Sequence, residues 1–306
     1  MAADGALAEI EFSGKPSVLI LADSEVGRER ALRSAEILGC RVSGLADIEG
    51  GLDRIERQAA LDCAFIELER DHGNVLDRLL AKLQRDAESG RYGSVISAPA
   101  SLIDPIAAQA WHPRVQHLCG ADEVEQAAAL GLALAKPRHW LRDIGSEQAS
   151  PRLQQLSEEV RRIASALDRI SAEEMKNGHA PARDVDSRAA KDIDAGMVRS
   201  MIRARRLREQ FFGPDLFADP AWDILLDLFA ARLEKQRVAV SSLCIAAAVP
   251  ATTALRWIKT LTDMGLLIRA ADPQDGRRVY LELSSQAAEG LEAYLKAAER
   301  ISPLSL

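Results

Sequence analysis

The stretch from Val240 to Leu283 constrains this chain most, because its helix breakers and turn formers fall at fixed distances between apolar runs. A short apolar helix is predicted over Ser241 to Ala248, followed by a tight corner at Val249–Pro250. Proline suits that corner, since its fixed φ fits a first helical turn and its missing N–H is not needed there. A second helix is predicted from Ala251 to Met264, closed by Gly265 as a left-handed cap. Two short strands follow, Leu266–Ala270 and Arg278–Leu283. The Asp, Pro and Gly residues between them are turn formers.

Helix, turn, helix and then a two-stranded ribbon is the order of a winged helix-turn-helix. The second helix divides its residues accordingly. Ala254, Leu255, Ile258 and Leu261 recur at helical spacing and must face a core, with Trp257 in that set or bordering it. Thr252, Thr253, Arg256 and Lys259 lie on other sides, and Thr252, Arg256 and Lys259 share one stripe at i, i+4 and i+7. Short hydroxyls followed one turn on by a long cation suit entry into a major groove. Threonine methyls can touch thymine methyls, and arginine can grip guanine O6 and N7. A solvated polar face is the alternative. The preceding helix, the corner and the basic wing favour DNA contact.

This segment resembles the winged-helix domain of MarR-type regulators. The resemblance rests on Val249-Pro250-Ala251-Thr252-Thr253 at the recognition-helix start, on Asp263-Met264-Gly265-Leu266, on Asp272-Pro273-Gln274-Asp275-Gly276-Arg277-Arg278, and on Leu283-Ser284-Ser285. It implies helix 251–264 in the major groove and wing 270–279 on a minor groove or phosphate. Ala251, Thr252, Thr253, Arg256, Lys259, Arg277 and Arg278 would then contact DNA. Asp275 and Gly276 would shape the wing, Asp275 pairing with Arg277 or Arg278. Pro250 departs from the family, which usually has Ser or Thr there, so a side-chain cap and a phosphate contact are lost. The resemblance covers about a third of the chain.

With 306 residues, two domains and a connector are expected. Net charge is −7, which at first opposes DNA binding. Residues 1–196 hold 24 Lys/Arg against 33 Asp/Glu, whereas residues 197–306 hold 15 against 13. Local field governs phosphate binding, so the balance of the second half is the relevant one. Aromatics, at 4%, are too sparse for base-stacking RNA platforms. Cys40, Cys63, Cys119 and Cys244 show no metal spacing and read as buried thiols of a reducing cytoplasm. The histidines are scattered, so no metal and no cofactor are expected. No apolar run approaches the length of a membrane span and no signal peptide is visible, so a soluble cytoplasmic protein is expected.

Upstream, strands and helices alternate. Strands are predicted at Ser17–Ala22, Arg41–Leu45, Cys63–Leu68, Ser94–Ser97 and Val115–Cys119. Helices are predicted at Glu25–Leu38, Gly51–Ala60, Val75–Ser89, Leu102–Ala110 and Val124–Ala135. Five βα repeats imply a doubly wound parallel α/β sheet over 1–140. That arrangement resembles the receiver domain of response regulators. In such a domain a metal-held aspartate takes a phosphoryl group, and a hydroxyl and a lysine steady it. This chain has Asp23 at the first site, Glu67 at the acceptor position, Ser97 on the fourth strand, and Cys119 or Gly120 instead of lysine. A degenerate pseudo-receiver is therefore expected.

Leu153, Leu156, Val160, Ile163, Leu167 and Ile170 follow heptad spacing, as in a short dimerising coiled coil over 151–171. An amphipathic helix packed on the chain's own domains is the alternative. Residues 172–196 read as a flexible linker, and 197–306 as the DNA-binding domain. Met197–Gln210 carries five arginines, of which Arg203 and Arg206 are candidates for phosphate contact. Pro220 precedes an apolar helix, Ala221–Leu233, and Ser285–Arg300 is a final amphipathic helix.

The expected function is a homodimeric transcriptional regulator binding double-stranded DNA. A phosphorylated response regulator and a protein-interaction module are the alternatives. No enzyme, no membrane association and no small-molecule ligand are inferred. No nucleophile–base pair or phosphate loop is present in the sequence.

Overall fold

Uninterrupted apolar runs become strands covered on both faces. A computed structural model of the chain describes residues 14–58, 60–135, 193–212 and 217–301. Strands β1 (Ser17–Ala22), β2 (Arg41–Ala46), β3 (Cys63–Glu67), β4 (Gly93–Ala98) and β5 (Val115–Cys119) form a parallel sheet in the order β2-β1-β3-β4-β5. Helices α1 (Glu25–Ile37), α2 (Ile48–Glu56), α3 (Asn74–Glu88), α4 (Ile103–Gln109) and α5 (Glu123–Leu134) connect and flank them. Val18 and Ile20 pack with residues of α1 and α5, whereas Leu19 and Leu21 pack with α2, α3 and α4. Alternation along β1 thus feeds two separate apolar layers, as a doubly wound sheet requires.

Local chemistry sets the helix starts. Ser24 caps α1 by accepting from the Gly27 N–H, and Asp122 with Glu125 forms a capping box on α5. Helix α2 starts at Ile48, ahead of the expected Gly51, because the Asp47 side chain accepts from the Gly50 N–H and caps it. Gly93 is required where β4 meets α5: a Cβ there would stand 2.3 Å from the Ala133 carbonyl oxygen.

The C-terminal part begins with α6 (Ala195–Leu207) and the short α7 (Glu209–Phe212), followed by α8 (Pro220–Glu234). Then come β6 (Val238–Ala239), α9 (Val240–Ala246), α10 (Ala251–Asp263), β7 (Leu267–Ala271), β8 (Val279–Leu283) and α11 (Ser285–Ile301). The strands form an antiparallel sheet in the order β6-β8-β7. Helices α9 and α10 meet at 110° through a turn in which Ala248 has φ 53°. Gly265 follows α10 with φ +72°, the left-handed conformation expected of it. Ala254, Leu255, Ile258 and Leu261 are buried with Leu226, Phe229, Leu243, Leu281 and Leu295. Burial of each such Leu, Ile or Phe side chain contributes about 1.5–3 kcal/mol.

That cluster does not stop at the C-terminal part. It includes Ile103 and Ala107 of α4, with Trp111 and Cys119 packed against it. The N- and C-terminal parts belong to one compact unit. The heptad positions Leu153, Leu156, Val160, Ile163, Leu167 and Ile170 lie outside the described residues, as does the expected linker up to Asp192. Among the described residues no single helix is long and apolar enough to cross a membrane.

Candidate nucleic-acid interface

Helix α10 sinks its apolar row into the core, which leaves Arg256, Trp257, Thr260 and Asp263 exposed, with Met264 exposed just past its end. Trp257 is 39% exposed, bordering the core. The expected outward stripe Thr252, Arg256, Lys259 is only partly outward. Thr252 is 2% exposed, and its Oγ1 accepts from the Cys119 N–H at 3.0 Å while standing 3.4 Å from the Cys119 carbonyl oxygen. The Lys259 ammonium donates to the carbonyl oxygens of Val115, at 2.7 Å, and His112. Strand β5 and the loop before it therefore lie along one flank of α10. Arg256 stays free of that flank, and Thr253 is partly buried.

The β7–β8 hairpin, the expected wing, is engaged by the same partner. The Arg277 guanidinium stands 2.8 Å from Asp71 and 3.1 Å from Asp77, instead of pairing with Asp275. Asp275 accepts from the Arg277 backbone N–H and pairs with Arg278 at 3.3 Å. Gly276 is exposed at the hairpin tip. Arg277 beside Asp71 holds that carboxyl below the usual range, and the pairing raises the arginine in turn. Upstream, Asp104 of α4 accepts from the Ser241 N–H at 2.9 Å and from its hydroxyl at 2.5 Å. Helix α9 has no capping side chain of its own.

Between these contacts lies a polar–aromatic patch. Trp111 stacks on His117 with ring centroids 5.1 Å apart, and Lys259 and Arg269 lie over the Trp111 ring at 5.9 and 5.2 Å. Arg269 also donates to the Ala107 carbonyl. Because a carbonyl only accepts, His117 Nε2, 2.6 Å from the Ala110 oxygen, is the protonated nitrogen. Burial, aided by Lys259 and Arg269, pushes His117 down to about 3. Burial likewise lowers Lys259 to about 8.

The arginines of α6 serve packing more than display. Arg199 pairs with Glu234 at 3.1 Å and also with Asp227, and Arg205 with Asp223 and Asp219. Arg206, expected at a phosphate, donates to the Ala246 carbonyl at 2.7 Å, so its hydrogen-bonding capacity is partly used inside the fold. Arg203 is exposed and reaches the Ser200 hydroxyl.

At the ends of β1 and β3, Asp23 and Glu67 turn to different partners. Asp23 accepts from the Glu69 and Arg70 N–H groups and contacts His72 Nε2 at 3.1 Å. Glu67, 1% exposed, accepts from Gln126 at 2.6 Å and lies 3.4 Å from Arg30. Ser97 pairs with Glu67 across the β3–β4 ladder and is buried. Burial raises Glu67 to about 7, against the lowering by Arg30, Ser97 and Gln126. Among the described residues, no group of three or more His, Cys, Asp or Glu could hold a metal ion.

Sequence reasoning marked α10 and the wing but missed Asp71, Asp77, Asp104, Trp111 and His117, which complete the arrangement. For the three aspartates the only signal in sequence is an acidic upstream half, which names no partner, and nothing in the local pattern marks Trp111 and His117.

Solved structures similar to the chain include those of transcriptional regulators. They include MepR of Staphylococcus aureus in a DNA-binding conformation, 20% identical over 35% of this chain and 75% of that one, with a TM-score of 0.25. A probable transcriptional regulator from Pseudomonas aeruginosa is 29% identical, covering 38% of this chain and 88% of that one, at a TM-score of 0.23. The Thermotoga maritima regulator Tm0710 is 20% identical over 35% and 72%, at 0.25. No protein-family model and no curated protein matches the chain.

Proposed function

We propose that the chain is a DNA-binding transcriptional regulator, with α10 as the recognition helix of a winged helix-turn-helix and residues 270–279 as its wing. One observation carries this reading. Helix α10 buries a complete apolar row, and the face it turns away from its own core carries Arg256 and Thr260 with Trp257 and Asp263, beside a hairpin bearing Arg277 and Arg278. The residues that occupy Thr252, Lys259 and Arg277 all come from the N-terminal part. In this reading the protein is a cytoplasmic homodimer, joined through the heptad segment 153–170, and has no enzymatic role. The N-terminal part serves as a pseudo-receiver, with Glu67 in place of an acceptor.

Gel shift against a random duplex pool over a range of salt tests the reading. Retention should fall steeply with salt, as counterion release demands. On a duplex selected from that pool, Arg256→Ala should weaken binding by about 1–3 kcal/mol. Failure to retain any duplex, including by the loosened variants described below, would overturn it. A second reading has its own support: Thr252 and Lys259 already bind backbone groups of a protein surface, so α10 could be a protein-docking helix. Binding of a protein partner that is lost on substituting Thr252, Arg256 and Lys259, without duplex binding, would favour it.

A further inference from the structure

We infer that the surface formed by Asp71, α3, α4 and β5 is an intramolecular stand-in for DNA, and that this surface and a duplex exclude each other. The inference rests on the reading of α10 as a recognition helix.

Three features support it. The first is chemical correspondence. Arg277, Arg269, Lys259 and Ser241 are donors, and each meets carboxylate or carbonyl oxygens of the N-terminal part. Phosphate and base-edge oxygens are what a duplex would offer the same donors. Asp71 and Asp77 present two carboxylates to the Arg277 guanidinium, the anionic pairing that a phosphate would otherwise make. The second is charge. Residues 1–135 hold 13 Lys/Arg against 22 Asp/Glu, so the covering part carries an excess of the sign that DNA carries.

The third is space. A major groove is about 12 Å wide and an α-helix with its side chains about 10–12 Å across, so the groove admits the helix alone. With β5 against the Thr252–Lys259 flank, α10 cannot enter. The described conformation is therefore the closed one, and a duplex binds only the fraction of molecules in which α10 has left β5. Apparent affinity is the intrinsic affinity scaled by that fraction.

The experiment uses the full chain and two variants. Asp71→Ala, Asp77→Ala and Asp104→Ala combined removes the anionic contacts while leaving every proposed DNA-contact residue intact. Amide exchange over residues 115–119 and 251–263 should quicken, and affinity for a selected duplex should rise by at least tenfold. The second variant, Asp104→Cys with Ser241→Cys, is compared reduced and after a thiol oxidant, with wild type treated alike. The oxidised, locked form should lose duplex binding and regain it on reduction. A locked form that binds as tightly as its reduced form overturns the inference, whatever the first variant does. Faster exchange with unchanged duplex affinity overturns it too, and leaves the DNA-binding reading standing. Faster exchange with no duplex bound by any form overturns that reading and the inference with it.

Discussion

The Thr252 hydroxyl and the backbone of Cys119 bond to each other across the two halves of the molecule, 3.0 Å from oxygen to amide nitrogen. A residue at the start of a helix read as DNA-binding is thereby committed to the last residue of a parallel strand. Replacing Thr252 by Val keeps shape and removes both bonds. We expect a loss of about 1–3 kcal/mol in urea unfolding, the cost of leaving a buried amide without its acceptor. Thr252→Ser, which keeps the hydroxyl, should recover most of it.

Glu67 should make the protein less stable as pH rises. Its folded value, about 7, lies above its ordinary 4.5. Between those values the folded state holds a proton that the unfolded state has released, so stability falls as pH climbs through this window. Glu67→Gln should therefore gain on the order of 1–3 kcal/mol over wild type at pH 8 and little at pH 4.5, read as a difference in urea midpoints.

His117 should act in the opposite sense. With a folded value near 3 against an ordinary 6.5, its ring is neutral when folded and charged when unfolded over that interval. Stability is lost as pH falls from about 6.5 toward 3. In wild type the two slopes partly cancel where they overlap. His117→Gln should flatten the acid side, removing about 2 kcal/mol of the loss between pH 6.5 and 5.

Ala248 adopts φ 53° in the turn between α9 and α10, a conformation that costs a Cβ-bearing residue about 1–2 kcal/mol. Ala248→Gly should relieve it and raise stability by about 0.5–1 kcal/mol after the entropy of glycine is counted. Differential scanning calorimetry would show the gain; a fall in melting temperature would refute the strain.

Elements written in local pattern were legible. Strands β1 and β5 were expected at the residues where they occur: a near-continuous apolar run ending at Asp23 marks β1, and apolar ends, Val115 and Leu118-Cys119, ahead of Gly120 mark β5. The core row of α10 was legible from its 3.6 period. Helix α2 began earlier than the expected Gly51, since the cap supplied by Asp47 outweighs the low helix propensity of Gly50. Strand β6 went unnoticed: two residues, paired with Leu281 and Tyr280, leave no periodicity to see. The candidate interface was half legible. Composition identifies Thr252, Lys259 and Arg277 as polar groups that need partners, but their partners lie in a distant part of the sequence and carry no local mark.

Cys119 and Thr252 are 133 positions apart on one chain, which decides how their contact responds to dosage. A tethered pair meets at an effective concentration set by the intervening chain, not by how many molecules a cell contains. Dilution cannot loosen such a latch and overexpression cannot tighten it. Its set point is inherited with the covalent backbone.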